Sequence, residues 1–320
     1  MAVLETNGQW LKVQVPRYEK TAWIHNSYVQ QATAAAPRAR LTGPATSERA
    51  DQLMNKANGL LREGRGHEAL PLALEAYEIK RRVRGENHSE TYGAMSFVGG
   101  AYMDVGQYEQ ALPFYLKTYE YAKREYGAEH LMTISMLCNT GTLLVQKGDA
   151  QEGLKYLEES LQLRRKVEGP KAPNTIRTLQ YCGEAQLKLR RYDQARKLVA
   201  EAVELFAEVS GRESWNYATA VSSLGSIDFE AGNFEVALPH YRTALETYRK
   251  VLGEEHSTTA SAYQNVGAAL HHLGDLVGAR RSQQRAAEIR QKVLGYGHEH
   301  TADSYYNLAL LAHAMNDTGT

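Results

Sequence analysis

The feature that most constrains this 320-residue chain is a period of 42 residues that runs without insertion. The stretch VLGEEHSTTASAYQNVG, residues 251–267, returns as VLGYGHEHTADSYYNLA at 293–309. One glycine series occupies Gly85, Gly127, Gly169, Gly211, Gly253 and Gly295. A second occupies Gly64, Gly106 and Gly148, then Arg190, Gly232, Gly274 and Asn316. Small residues recur at Ala57, Gly99, Gly141, Gly183, Gly225, Gly267 and Ala309, and again at Ala69, Ala111, Gly153, Ala195, Ala237 and Ala279. Such a chain stacks like units on one another instead of wrapping one central core.

Each unit reads as two helices. Leu53, Ala57, Leu60 and Leu61 fall at helical spacing, as do Ala111, Tyr115 and Tyr119. The glycines fall where helices must end, and the left-handed conformation past a helix terminus suits Gly or Asn. Arg190 breaks that rule and predicts a strained or different turn. Thr91, Thr133, Thr175, Thr259 and Thr301 recur near the first-helix starts, where a hydroxyl can satisfy free N–H groups. Glycine inside a helix costs about 1 kcal/mol relative to alanine. Its repetition at one phase therefore predicts a close helix crossing that returns more than this.

Gly or Ala at the eighth position of a unit and Ala at the twentieth resembles the tetratricopeptide repeat. The standard repeat has about 34 residues. The longer unit, with LGxxHxxTAxxYxNLA at the junction, looks like the kinesin-light-chain type. The resemblance covers about 275 residues, in seven in-phase copies. It implies an all-α fold: a right-handed superhelical solenoid of antiparallel helix pairs. The array is expected over 46–320, with units starting near 46, 88, 130, 172, 214, 256 and 298 and the last one truncated.

Residues 1–29 stand outside the period. They alternate apolar and polar, with Asn7-Gly8 as a hairpin turn. AWIHNSYV resembles the closing stretch of a bacterial Src-homology-3-type domain, carried by Trp10, Leu11, Val13, Trp23, Ile24 and Tyr28. A partial domain of this type, a small β hairpin segment, is expected at 1–29, followed by a linker at 30–45 rich in Ala, Pro and Thr.

Chemistry finds little support. Lys plus Arg equals Asp plus Glu at 37 each, so no overall field favours nucleic acid or an anionic membrane. No apolar run approaches 18 residues and no signal peptide is visible, so a cytoplasmic chain is expected. Cys138 and Cys182 are the only cysteines, which fits a reducing compartment. His88, His130, His256 and His298 share one phase. Stacked units lie about 10 Å apart and metal ligands about 2 Å from their ion, so this stripe bridges units and binds no metal. Basic runs such as Lys80-Arg81-Arg82 and Arg164-Arg165-Lys166 sit among acids and read as solvated faces. Neither a nucleophile with its base nor a phosphate loop appears. The chain is expected to be no enzyme and to need no cofactor.

The inner face of the first helices is more informative. Two residues before each small position stand Asn55, Phe97, Asn139, Tyr181, Ser223, Asn265 and Asn307; one further back stand Cys138, Gln180, Gln264 and Tyr306. In kinesin-light-chain-type relatives, the resemblance implies, Asn at this phase holds a ligand backbone. An Asn amide offers a donor and an acceptor, matching a peptide unit. Phe97, Tyr181 and Tyr306 would add aromatic pockets. The expected function is a scaffold that binds a peptide or partner domain in a concave groove, without nucleic acid or membrane. Two alternatives stay open: the sensory array of a larger bacterial enzyme, such as a CHAT-type caspase-like protease, and a kinesin-light-chain-like cargo adaptor. The C-terminal stretch SYYNLALLAHAM lacks the polar outer face of a terminal repeat, so self-association or a further domain is expected there.

Overall fold

A computed structural model describes the backbone at 2–7, 10–14 and 21–25, and residues 45–295, 300–305, 307, 308 and 311. The N-terminal backbone forms three strands, β1 Ala2–Asn7, β2 Trp10–Gln14 and β3 Thr21–His25, antiparallel in that order. Twelve helices follow among the described residues. The first helices of successive pairs are α1 Ser47–Arg62, α3 Ser89–Asp104, α5 Leu131–Lys147, α7 Pro173–Lys188, α9 Trp215–Glu230 and α11 Ser257–His272. Their partners are α2 Gly66–Arg84, α4 Tyr108–Tyr126, α6 Ala150–Val167, α8 Tyr192–Ser210, α10 Phe234–Leu252 and α12 Leu276–Leu294. Helical backbone resumes at 300–305. Each helix packs on its neighbours in sequence, and α1 and α3, α5 and α7, and α7 and α9 also touch. The result is a helical solenoid with a core that runs along the stack.

The small residues mark the crossing of each pair. A Cβ on Gly141 would stand 2.8 Å from the Gly153 carbonyl oxygen, and one on Gly153 would stand 2.6 Å from that of Gly141. Elsewhere a side chain fills the notch: Tyr115 lies against Gly99, Val199 against Gly183 and Tyr241 against Gly225. Backbone contact that close gains dispersion that a methyl group would block.

Three local expectations change. The first glycine series is not left-handed helical. Gly85 has φ 92 and ψ 164, and Gly253 has φ 89 and ψ 168, a region essentially reserved for glycine. The second series does adopt the left-handed helical form, as at Gly148 with φ 103 and ψ −6. Arg190 sits in that series with φ 57, the one non-glycine at positive φ among the described residues. The threonines do not cap. Thr91, Thr133 and Thr259 each donate a hydroxyl to the carbonyl of the glycine six residues earlier, at 2.7, 2.8 and 2.9 Å. Capping belongs to the histidine stripe instead: Nδ1 of His88, His130 and His256 accepts from the backbone N–H two residues on, at 3.2, 3.2 and 3.1 Å. These histidines start helices, and His130 also stacks on Tyr126 of the preceding unit, with ring centres 4.7 Å apart. Ser214 caps in their place at α9, and Pro173 opens α7 where Ala172 cannot cap.

Candidate binding face of the first helices

The register of the first helices brings one residue set to the same level in successive units. Asn139 and Asn265 are half-buried, and no hydrogen bond from a described residue engages either side chain. Asn55 is exposed and Asn307 half-buried. Phe97 is half-buried against the cluster of Tyr102, Tyr115 and Leu137, and Tyr181 against that of Cys138, Leu179 and Cys182. Burial pushes the Tyr181 hydroxyl up to about 12, so it stays a neutral donor. Gln264 is half-buried, and its backbone carbonyl accepts from Gln283 Nε2 at 3.3 Å. The side chain of Tyr306 lies outside the described residues.

Cys138 does not present itself on this face. It is 6% exposed, with Sγ 3.7 Å from Thr178 Oγ1. The shift arises because Thr178 and its own turn close over the sulfur. Burial raises the Cys138 thiol and pushes that of Cys182 up to about 12. Few thiolates exist at neutral pH, and the nucleophile is the thiolate. The basic runs are not solvated faces throughout. Lys80 is 3% exposed and reaches Asp51 Oδ1 at 2.8 Å and Glu90 Oε2 at 2.7 Å. Arg164 is buried, pairs with Glu168 and donates to Ser135 Oγ at 2.9 Å. Among the described residues no group of three or more His, Cys, Asp or Glu could hold a metal ion, and no helix is long and apolar enough to cross a membrane.

One polar cluster escaped the sequence reading. Glu184 Oε1 accepts from Gln180 Nε2 at 2.9 Å and from Ser223 Oγ at 2.8 Å, linking α7 to α9. The available signal was positional. The same phase holds Asn58, Gly100, Thr142, Ser226 and Ala268, so Glu184 is the acid among neutral residues.

Stacked helix pairs with crossings set by Gly and Ala define a helical-repeat scaffold. Tetratricopeptide repeat models match residues 90–152, 141–208, 216–281 and 258–320, and a second such model matches 49–90. The chain belongs to the tetratricopeptide repeat family. Among solved structures, a kinesin light chain of Podosopora anserina with nearly identical TPR-like repeats is 16% identical with a TM-score of 0.53, covering 64% of this chain and 97% of that one. A Rap protein complexed with Competence and Sporulation Factor is 12% identical with a TM-score of 0.55, covering 85% and 91%. A signal transduction ATPase with a tetratricopeptide repeat sensor from Pyrococcus horikoshii is 17% identical with a TM-score of 0.55, covering 82% of this chain and 38% of that one. No protein with a curated description matches the chain. These likenesses concern the fold.

Proposed function

We propose that this chain is a non-enzymatic scaffold that holds a peptide or a partner-protein segment along a concave groove lined by the first helices. The observation that carries the reading is the pair Asn139 and Asn265. Both amides stand at one register, half-buried, with no hydrogen bond from a described residue. Amides held at one height on the first helices of the third and sixth units suit an extended peptide, which offers a donor and an acceptor at every residue. Each such bond contributes about 0.5–1.5 kcal/mol, and micromolar affinity needs about 8 kcal/mol. Asn55, Asn307 and Gln264 therefore act with Asn139 and Asn265, and Phe97, Tyr181 and Tyr306 add apolar contact. A neighbour of this fold carries a bound factor, which supports the choice of ligand class.

The test is a peptide selected from a phage-displayed library against the whole chain and titrated by calorimetry. Replacing Asn139, Asn265 and Asn307 together by Ala should weaken binding more than tenfold with melting temperature nearly unchanged. Unchanged affinity would sink the groove reading. A second reading, a sensor array within a larger signalling protein, is favoured by the likeness to the repeat sensor of the ATPase. In either case residues 1–29 act as a partial Src-homology-3-type unit on a linker at 30–45.

A further inference from the structure

Glu184 is half-buried on α7, and its two hydrogen bonds both come from neutral groups, Gln180 and Ser223. Gln180 is itself 2% exposed and donates also to Ser223 Oγ at 3.0 Å, which locks the three side chains together. Both donors converge on Oε1. Oε2 accepts from no described residue, yet it is not sealed from solvent. Other sheltered acids here face a cation: Glu75 faces Arg49, Glu90 faces Lys80, Glu168 faces Arg164, Asp228 faces Arg196, and Glu254 faces Arg249 and Arg285. Glu184 forms no ion pair among the described residues; Lys188, exposed one turn on, acts only from a distance.

A carboxylate withdrawn from water without a cation is costly, and burial raises the pKa of Glu184 accordingly. Repeat packing does not call for it, because five other units carry Asn, Gly, Thr, Ser or Ala at this phase. Tyr181 stands one turn back on the same helix, near enough for the Glu184 charge to raise its hydroxyl. An aromatic ring beside an oriented carboxylate is a favourable seat for an ammonium or guanidinium group.

We infer that Glu184, fixed by Gln180 and Ser223 and flanked by Tyr181, receives a cationic group of the groove's peptide, a Lys or Arg side chain or a terminal amine. This rests on the groove reading and names one chemical feature of the ligand. It also gives the fourth and fifth units a role that the asparagines of the third and sixth do not have. The experiment uses the whole chain and the library peptides above. Selected peptides should be enriched in Lys or Arg. In the best binder, Lys→norleucine or Arg→citrulline should weaken binding at least tenfold to the wild-type chain and less than twofold to Glu184→Gln. Gln keeps the Oε1 acceptor, so an unchanged melting temperature separates recognition from structure. Equal losses in both chains, or selected peptides without basic groups, overturn the inference and leave the groove standing. A library with no binder overturns the groove and the inference together.

Discussion

Glycine does three different jobs here, and the backbone separates them. At the helix crossings it makes room: the Gly141 and Gly153 carbonyls each occupy the space a Cβ on the other would need. Gly141→Ala should therefore cost about 1–3 kcal/mol despite alanine's better helix propensity. Gly93, mid-helix in α3, has nothing within 4 Å of an added Cβ. Gly93→Ala should stabilise by about 1 kcal/mol. Urea midpoints of the two variants moving in the same direction would refute the packing account. At the two chain reversals glycine provides positive φ, but the reversals differ. Gly85 and its equivalents, with ψ near 164, leave no alternative residue, and that series has no exception. The left-handed helical series tolerates Arg190 because an L-residue can occupy that well at a cost of about 1–2 kcal/mol.

In four of the six helix pairs, residues 29 apart form a polar tie, spelled differently each time. Lys80 reaches Asp51, Arg164 reaches Ser135, Tyr248 donates to Thr219 at 3.0 Å, and Arg290 reaches Ser261 at 3.0 Å. The second unit has Ala122 and Gly93 at these sites, and Tyr92 stacks on Tyr121 nearby with ring centres 3.7 Å apart. Lys80 also pairs with Glu90 of the second unit, and that contact has a pH signature. Its hydrogen bond from Lys80 holds the Glu90 carboxyl well below its ordinary 4.5, at about 2. A carboxyl with a depressed native pKa stabilises the fold above about 4.5 and loses that contribution as pH falls toward about 2. Glu90→Gln should flatten the acid limb of the melting curve across that window. Parallel limbs for variant and parent would show that the pair contributes nothing.

Across the whole stack, the contact of α8, α9 and α10 holds a buried charge pair. Asp228 is fully buried on α9, where corresponding positions hold Leu60, Leu144 and Leu270. It pairs with Arg196 of α8, and His240 Nε2 of α10 lies 3.4 Å from its other oxygen. Arg196 in turn replaces the leucine found at Leu70, Leu112, Leu154 and Leu238. Removing one partner of a buried pair is destabilising by about 3–5 kcal/mol, whereas an apolar exchange of both is often neutral or favourable. Arg196→Leu alone should cost about 3 kcal/mol, at the low end because Arg196 is 39% exposed. Arg196→Leu with Asp228→Leu should recover that loss or exceed it. Guanidinium denaturation decides; a double variant no better than the single one would mean that the charges hold the interface.

The 42-residue period by itself determined the helix pairs, their crossings and the stacked architecture, because each depends on residues close in sequence and repeated in register. It also placed Asn139 and Asn265 on one level of the first helices. Roles that depend on what approaches from another element were hidden. A histidine in a loop reads the same whether it caps or bridges until the next N–H is positioned, and Cys138 reads as surface until Thr178 closes over it. Lys80 reads as solvated until Asp51 and Glu90 reach it from either side. Glu184 is one polar letter in a variable column; only the stacking of α7 on α9 brings Ser223 to it and leaves its second oxygen without a cation. Period is a property of the chain, while burial and pairing are properties of neighbours that only the fold supplies.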